Sequence, residues 1–162
     1  MSNNDICKSK RIRKLREFPD VSEERRRIMS SVKHKHTTPE KTVRSILHKL
    51  GFRFTVNGKL NSSLPGKPDI VLPKWKTVVL VHGCFWHGHE KCNKNKRVKT
   101  RTEFWESKIN LNKERDKKVI HDLNANGWKV LVIWECEVNS KKRAEQCFYR
   151  LKNIILNELS LE

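Results

Sequence analysis

The segment His82–Cys92, HGCFWHGHEKC, concentrates the residue types that bind metals and move protons. Cys84, His89 and Cys92 follow a Cys-x4-His-x2-Cys spacing, short enough for three side chains to converge on one ion. Cys136, at the end of the last apolar run, supplies a fourth ligand if that run lies beside Thr77–His82. Three thiolates and one imidazole form a closed tetrahedral set, the kind that holds Zn2+ for structural purposes. The competing reading, reduced buried cysteines and a surface histidine, must treat the compact spacing beside Gly83 and Gly88 as coincidence. Cys147 falls on an apolar helix face and reads as core. Cys7 reads as an exposed bystander.

A second set of residues suits hard-metal and proton chemistry. In LPGKPDIVL, Asp69 opens an apolar strand directly after a Pro-Gly-x-Pro turn, which leaves its carboxylate at the rim of a sheet. A carboxylate there can hold Mg2+ together with phosphate oxygens, although a turn aspartate that caps local backbone groups would look the same. The next apolar run, TVVLVH, tips the balance because it delivers His82 and, a few residues on, His87. A neutral imidazole beside a metal-bound phosphodiester can accept the proton of an attacking water or orient that water. A zinc loop would fix both histidines; His87 is the favoured catalytic one, with packing beside the zinc as the alternative for either. Phe85 and Trp86 inside the cluster, and Trp105 in KTRTEFWESK, set large rings in basic surroundings. Wedging between base pairs requires this combination, while core packing is the ordinary fate of such rings. Trp128 and Trp134, in a buried-type run, are expected in the core, and Trp75 is left open.

Composition indicates the partner. Lys and Arg total 36 against 18 Asp and Glu, a net charge of +18. The excess spreads from Lys8 to Arg150, so a folded domain must bear the self-repulsion unless a polyanion relieves it, and nucleic acid is the first candidate. A ribosomal-type structural role or a merely well-solvated surface would give the same balance. Five cysteines, an odd number, argue for metal or free thiols over a disulfide framework. No apolar run approaches the roughly 20 residues that span a bilayer. The polar stretch Met1–Lys10 lacks a hydrophobic signal region, so a cytoplasmic location is expected.

The elements that must position these residues can be traced along the chain. SKRIRKLREFPD within residues 1–21 is a basic arm, expected to be mobile without DNA. A short helix is expected from Glu23 to Lys33, displaying Met29 and Val32. Thr38 as cap, Pro39 at the first helical position and Glu40 near the positive end of the dipole start a helix whose apolar face is Val43, Ile46, Leu47 and Leu50, closed by Gly51. Strands are expected at Arg53–Val56, Asp69–Leu72 and Thr77–His82. The loop NGKLNSSLPGKP joins the first two, and a tight PKWK turn makes the second two antiparallel neighbours. Thr102 caps a helical region reaching Asn126, Trp128–Trp134 forms a strand, and Ala144, Cys147, Phe148, Leu151, Ile154, Ile155 and Leu159 mark a closing helix. The order predicts one α/β domain over residues 22–162, a central mixed sheet flanked by helices.

The blocks SLPGKPDIV, HGCFWHGH, TRTEFWESKI, NKERD and GWKVLVIWECE, in this order, closely resemble the very short patch repair (Vsr) mismatch endonucleases, over roughly residues 22–137. The resemblance implies a restriction-endonuclease-like fold of the PD-(D/E)xK superfamily, a structural Zn2+ and Mg2+-dependent nicking 5′ to the thymine of a T·G mismatch, the product of 5-methylcytosine deamination. It implies Asp69 as the magnesium-binding carboxylate, His87 as the catalytic histidine and Glu40 as a supporting acid. Cys84, His89, Cys92 and Cys136 match the zinc set. Phe85, Trp86 and Trp105 match an intercalating wedge, with the helix near Met29 gripping the opposite groove.

The sequence departs from the pattern at three places. TVVLVHG lacks the Glu-x-Lys or Asp-x-Lys of the wider superfamily, as expected where histidine chemistry replaces that pair. Val81 stands where members of the family have Thr; a magnesium-binding role for the backbone carbonyl tolerates the exchange, and a role for a hydroxyl does not. One extra residue separates His89 from Cys92. The expected enzyme is a monomer acting on mismatched double-stranded DNA, without a membrane, and mismatch-repair proteins are candidate partners. The alternatives are a restriction-type or general nicking nuclease on the same fold, or a non-catalytic zinc-containing DNA-binding module.

Overall fold

The computed structural model describes residues 22–31, 35–92 and 101–156. The chain divides into two units, Met1–Lys35 and His36–Glu162. In the first, helix α1 spans Glu23–Ser30 with Glu23 and Glu24 in its opening turn, where carboxylates favour the positive end of the helix dipole. The expected continuation to Lys33, the Met29 and Val32 side chains, Cys7 and the basic arm lie outside the described residues, as does Leu159 at the other end.

The second unit opens with α2, Thr38–Lys49. Its cap is Thr37, one residue before the expected Thr38, because Thr37 and Glu40 close a reciprocal capping box that puts Pro39 in the first turn. Val43, Ile46 and Leu47 on its inner face are buried. The strand expected at Arg53–Val56 reduces to a single bridge, Thr55 to Val71. Thr55 and Val71 exchange both backbone hydrogen bonds (2.8 and 3.0 Å), and Asn61, 2% exposed, adds its Nδ2 to the carbonyls of Thr55 (3.2 Å) and Pro68 (3.0 Å). The expected loop contains a short helix, α3, Lys59–Ser63.

Strand β1, Ile70–Leu72, turns through Pro73–Trp75 into β2, Thr77–His82. The two pair antiparallel with Val71 opposite Val78, as the short turn predicts. The long helix α4, Thr102–Ala125, leads to β3, Lys129–Trp134, which pairs parallel to β2 with His82 beside Trp134. Arg101 in a left-handed conformation precedes α4, so Thr102 is its first helical residue and supplies no cap. Helix α5, Lys141–Leu156, closes the described chain.

The sheet order β1-β2-β3 makes it a three-stranded mixed sheet with helices, and strand alternation sorts its residues between two cores. Ile70, Leu72, Val79 and Ile133 meet Val43, Ile46, Leu47, Cys147, Leu151 and Ile155 from α2 and α5. Val71, Val78 and Trp128 meet Leu123 of α4, with Val119 and Val130 beside them. Trp75 is edge-on to Phe52 at 5.3 Å and packs against the first core. Cys147 is buried there as expected, its thiol pushed up to about 11 by burial. Among the described residues no helix is long and apolar enough to cross a membrane.

Candidate active site and metal centre

Beyond His82 the chain coils through tight turns, with the N–H of His89 on the carbonyl of Cys84 (2.9 Å) and that of His87 on Gly83 (3.1 Å). The loop brings the four expected zinc ligands together. Cys84 Sγ and Cys136 Sγ lie 3.6 and 3.4 Å from His89 Nδ1, and the ligand atoms of Cys84, His89, Cys92 and Cys136 all fall within 4.8 Å of one another. Bonds of about 2.3 Å to sulfur and about 2.1 Å to nitrogen give a tetrahedral edge of roughly 3.6 Å, so the group fits Zn2+ despite the extra residue before Cys92. Without a cation, burial pushes the Cys84 thiol up to about 12. A bound metal is what makes such a buried thiolate stable. Cys136 reaches the cluster because β3 runs parallel to β2 and ends beside it. Glu135 Oε2 accepts from the Cys84 N–H (3.3 Å), and Arg143 of α5 donates to the Cys136 carbonyl (2.9 Å).

His82 and His87 sit side by side, ring centroids 4.0 Å apart and planes 9° from parallel. His87 Nδ1 lies 2.5 Å from Asp116 Oδ2, with both side chains more than four-fifths shielded. These three residues also lie close enough to hold an ion. Near-parallel rings, however, keep their in-plane nitrogen lone pairs from meeting at one point, so the arrangement suits proton transfer better than chelation. Burial, then the charge of His87, hold His82 down at about 4, so it is neutral at ordinary pH; Asp116 pulls the other way.

Asp69 stands just before β1, where its Oδ2 accepts the Val81 N–H at 2.8 Å. Burial raises its carboxyl to about 6, partly offset by that hydrogen bond, while Glu40 adds repulsion and Arg44 and His87 lower it. Glu40, 6% exposed, is held by Thr37 Oγ1 (2.8 Å), the His36 N–H (3.0 Å) and Arg44 Nη2 (2.8 Å). Asp69, shielded at the strand end with the Glu40 charge nearby, is a donor that a hard divalent cation would relieve, whereas Glu40 is already paired with Arg44.

Phe85, Trp86 and Trp105 form one cluster with centroids 5.1–5.8 Å apart. Phe104 packs edge-on to Trp105 at 5.3 Å, and Lys108 Nζ lies over both rings. Half-buried Trp86 and Trp105 are outside both cores. Asn112 Nδ2 pins the loop by donating to the Trp86 carbonyl at 2.8 Å.

Asp116 and Asn112 have no role in the reading of the sequence. Their signal is the spacing Trp105, Ile109, Asn112, Asp116, Val119, Leu123, which lines one face of α4. Arg44 is likewise missed, although four residues separate it from Glu40 on a helix. Trp134 is half-buried and touches His82 and His89, so it borders the site and does not join the core as expected.

Residues 20–94 match the family described as DNA mismatch endonuclease Vsr. A type II nicking enzyme of Xanthomonas oryzae, V.XorIIP, is 46% identical over 136 residues, covering 83% of this chain and 95% of that protein. A second, V.NmeAIP of Neisseria meningitidis, is 47% identical over 124 residues, 76% of this chain and 86% of its own. The DNA mismatch endonuclease Vsr of Escherichia coli is 41% identical over 115 residues, 71% of each chain. With such relatives and this site, the protein is a DNA endonuclease. Within that class, the chain belongs to the Vsr family.

Proposed function

We propose that the protein nicks one strand of duplex DNA on the 5′ side of the thymine in a T·G mismatch, with Mg2+ at Asp69 and a structural Zn2+ at Cys84, His89, Cys92 and Cys136. The supporting observation is an imidazole, His87, anchored on Asp116 within electrostatic reach of Asp69, on the same loop as two rings of the Phe85, Trp86 and Trp105 cluster. The relatives' printed names, a mismatch endonuclease and nicking enzymes, agree with it. The lack of an acidic-x-Lys pair is compatible with a restriction-endonuclease-like fold in which histidines take over proton handling.

In this reading Asp69 and the Val81 carbonyl hold the Mg2+, with Glu40 as supporting acid. The ion, when bound, stabilises charge developing on the phosphate. Asp116 accepts the Nδ1 proton of His87, which leaves Nε2 free to take a proton from the attacking water. Neutral His82, stacked on His87, holds that ring flat and offers a second acceptor. Phe85, Trp86 and Trp105 insert beside the mispair, where a wobble pair stacks less well and opening costs less. The helix carrying Met29 contacts the opposite groove, and residues 1–21 act as a basic arm before an endonuclease domain spanning 22–162. The enzyme works as a cytoplasmic monomer alongside mismatch-repair proteins.

The test compares nicking of T·G and matched duplexes of one sequence, with and without Mg2+. Equal nicking of both would favour the restriction-type alternative, which the type II nicking relatives make worth separating. DNA binding without any nicking would favour a binding module.

A further inference from the structure

Four aromatic rings and a carboxylate run in contact from the candidate zinc ligands to the candidate catalytic histidine. His89 stacks on Trp134, centroids 4.2 Å apart and planes 9° from parallel. Trp134 meets His82 edge-on at 5.4 Å and 78°. His82 stacks on His87 at 4.0 Å, and His87 ends the column on Asp116. The backbone fixes the order of these rings. His82 and Trp134 are register partners on parallel strands, so their side chains leave the same face of the sheet. Trp134 is also tied to the turn that carries Cys136, because its N–H donates to Glu137 Oε2 at 2.7 Å.

We infer that Trp134 is a positioning residue that couples metal loading at Cys84, His89, Cys92 and Cys136 to the attitude of the His87 ring. The inference rests on the reading of these two sites as zinc centre and proton acceptor. His89 turns Nδ1 toward Cys84 and Cys136, so the ion held there sets the plane of its ring. Trp134 lies flat against that plane and fixes His82 by its edge, and His82 in turn supports one whole face of His87. Close-packed rings transmit a displacement because the gaps between them cannot absorb it. A metal that only stabilised the fold would need no such column.

The deciding measurement uses full-length protein with 15N-labelled histidine, carrying Zn2+ or the larger Cd2+. Exchange of the ion should move the His87 ring resonances in the wild type and leave them nearly still in Trp134→Leu. In nicking, Trp134→Leu should keep stoichiometric zinc and wild-type KM while kcat falls about 10–100-fold, the scale of a roughly 1 Å misplacement of a reacting group. Trp134→Phe, which restores a ring against His89, should recover most of that loss. His87 resonances indifferent to the ion in the wild type, or a Leu variant with unchanged kcat, would overturn the coupling. If the Leu variant does not fold, Trp134→Met, which fills the volume without a flat ring, takes its place under the same two readouts. Because the resonances are read without DNA, a wild type that fails to nick refutes the proposed function and leaves this measurement standing.

Discussion

Replacing Asp116 by Asn tests the anchored imidazole most directly. The carboxylate lies 2.5 Å from His87 Nδ1, and the two side chains are only 16% and 19% exposed. Little water competes for the bond, and hydrogen bonds to charged groups are worth about 1.5–3 kcal/mol. The amide loses the negative charge that stabilises an imidazolium. It can also turn its NH2 toward Nδ1, which forces the proton onto Nε2, the atom that must accept it. General acid–base catalysis contributes about 10²–10⁴-fold, so the single-turnover nicking rate should fall by that factor, about 2.7–5.4 kcal/mol at 1.36 kcal/mol per tenfold. The assay is nicking of an end-labelled T·G duplex with enzyme and Mg2+ in excess, alongside affinity for the same duplex and the melting temperature. Affinity should change by no more than about threefold, since this hydrogen bond contributes little to phosphate contacts. A rate within threefold of wild type would refute the role of Asp116, and an equal loss of affinity and rate would make it a folding or binding residue.

Asp69→Ala should abolish nicking while fold and DNA binding stay nearly intact, as seen by gel shift and circular dichroism. Because the Asp69 carboxyl is raised to about 6, protons compete with Mg2+ below that pH. The Mg2+ concentration for half-maximal nicking should therefore rise about tenfold per unit of further acidification, and a flat requirement from pH 5 to 7 would count against Asp69 as the ligand. Stability moves differently in the metal-free protein. His82, lowered from 6.5 to about 4, contributes stability above the unfolded value that is lost as pH falls toward 4, so acid melting should shift in His82→Gln. Cys136→Ser should lower the melting temperature and lose stoichiometric zinc by metal analysis; full occupancy would mean the fourth ligand is another residue. Trp105→Ala should weaken T·G binding and nicking by one to two orders of magnitude, from roughly 1–3 kcal/mol per stacked ring. It should affect matched DNA less, and an equal loss on both duplexes would reassign Trp105 to general contact.

The parts of the site legible in the sequence are those whose geometry is local. Cys84, His89 and Cys92 converge because a short loop leaves them little choice, and the Pro-Gly-x-Pro turn before an apolar run marks Asp69 as a strand-end carboxylate, where it accepts the Val81 N–H. Cys136 required one tertiary assumption, that the last strand lies beside Thr77–His82, and the parallel pairing satisfies it. Asp116 required two, the position of α4 and its rotation, and its stripe mixes Asn112 and Asp116 with apolar residues so that no clean amphipathic face appears. Trp134 misled through a sound rule. It shares a face with Trp128 by strand alternation, but at the end of β3 that face is covered by the zinc loop and its histidines, not by Leu123. Arg53–Val56 pairs with β1 only through Thr55 and Val71, with Asn61 sharing the Thr55 carbonyl, a tertiary detail that the residue types in that run do not announce.

Helix α4 is where recognition and chemistry meet in the proposed enzyme. Trp105 and Asp116 lie on one face of a single rod, separated by roughly 16 Å at 1.5 Å per residue. Between them Asn112 grips the Trp86 carbonyl. One turn of the loop away, Gly88 brings the backbone so close that a Cβ there would fall 2.7 Å from Ile109 Cγ2. Gly88 also has φ +62, a conformation glycine adopts without strain. The loop that holds three of the four candidate zinc ligands, two rings of the proposed wedge and His87 is thus pressed onto the helix that supplies the third ring and the carboxylate. A duplex that seats the rings must push on this helix and loop together, and the same two segments carry the His87–Asp116 pair. Because that pair is already closed without DNA, ring insertion in the proposed enzyme needs only to bring the phosphate to it, and a matched duplex that resists insertion leaves the phosphate out of reach.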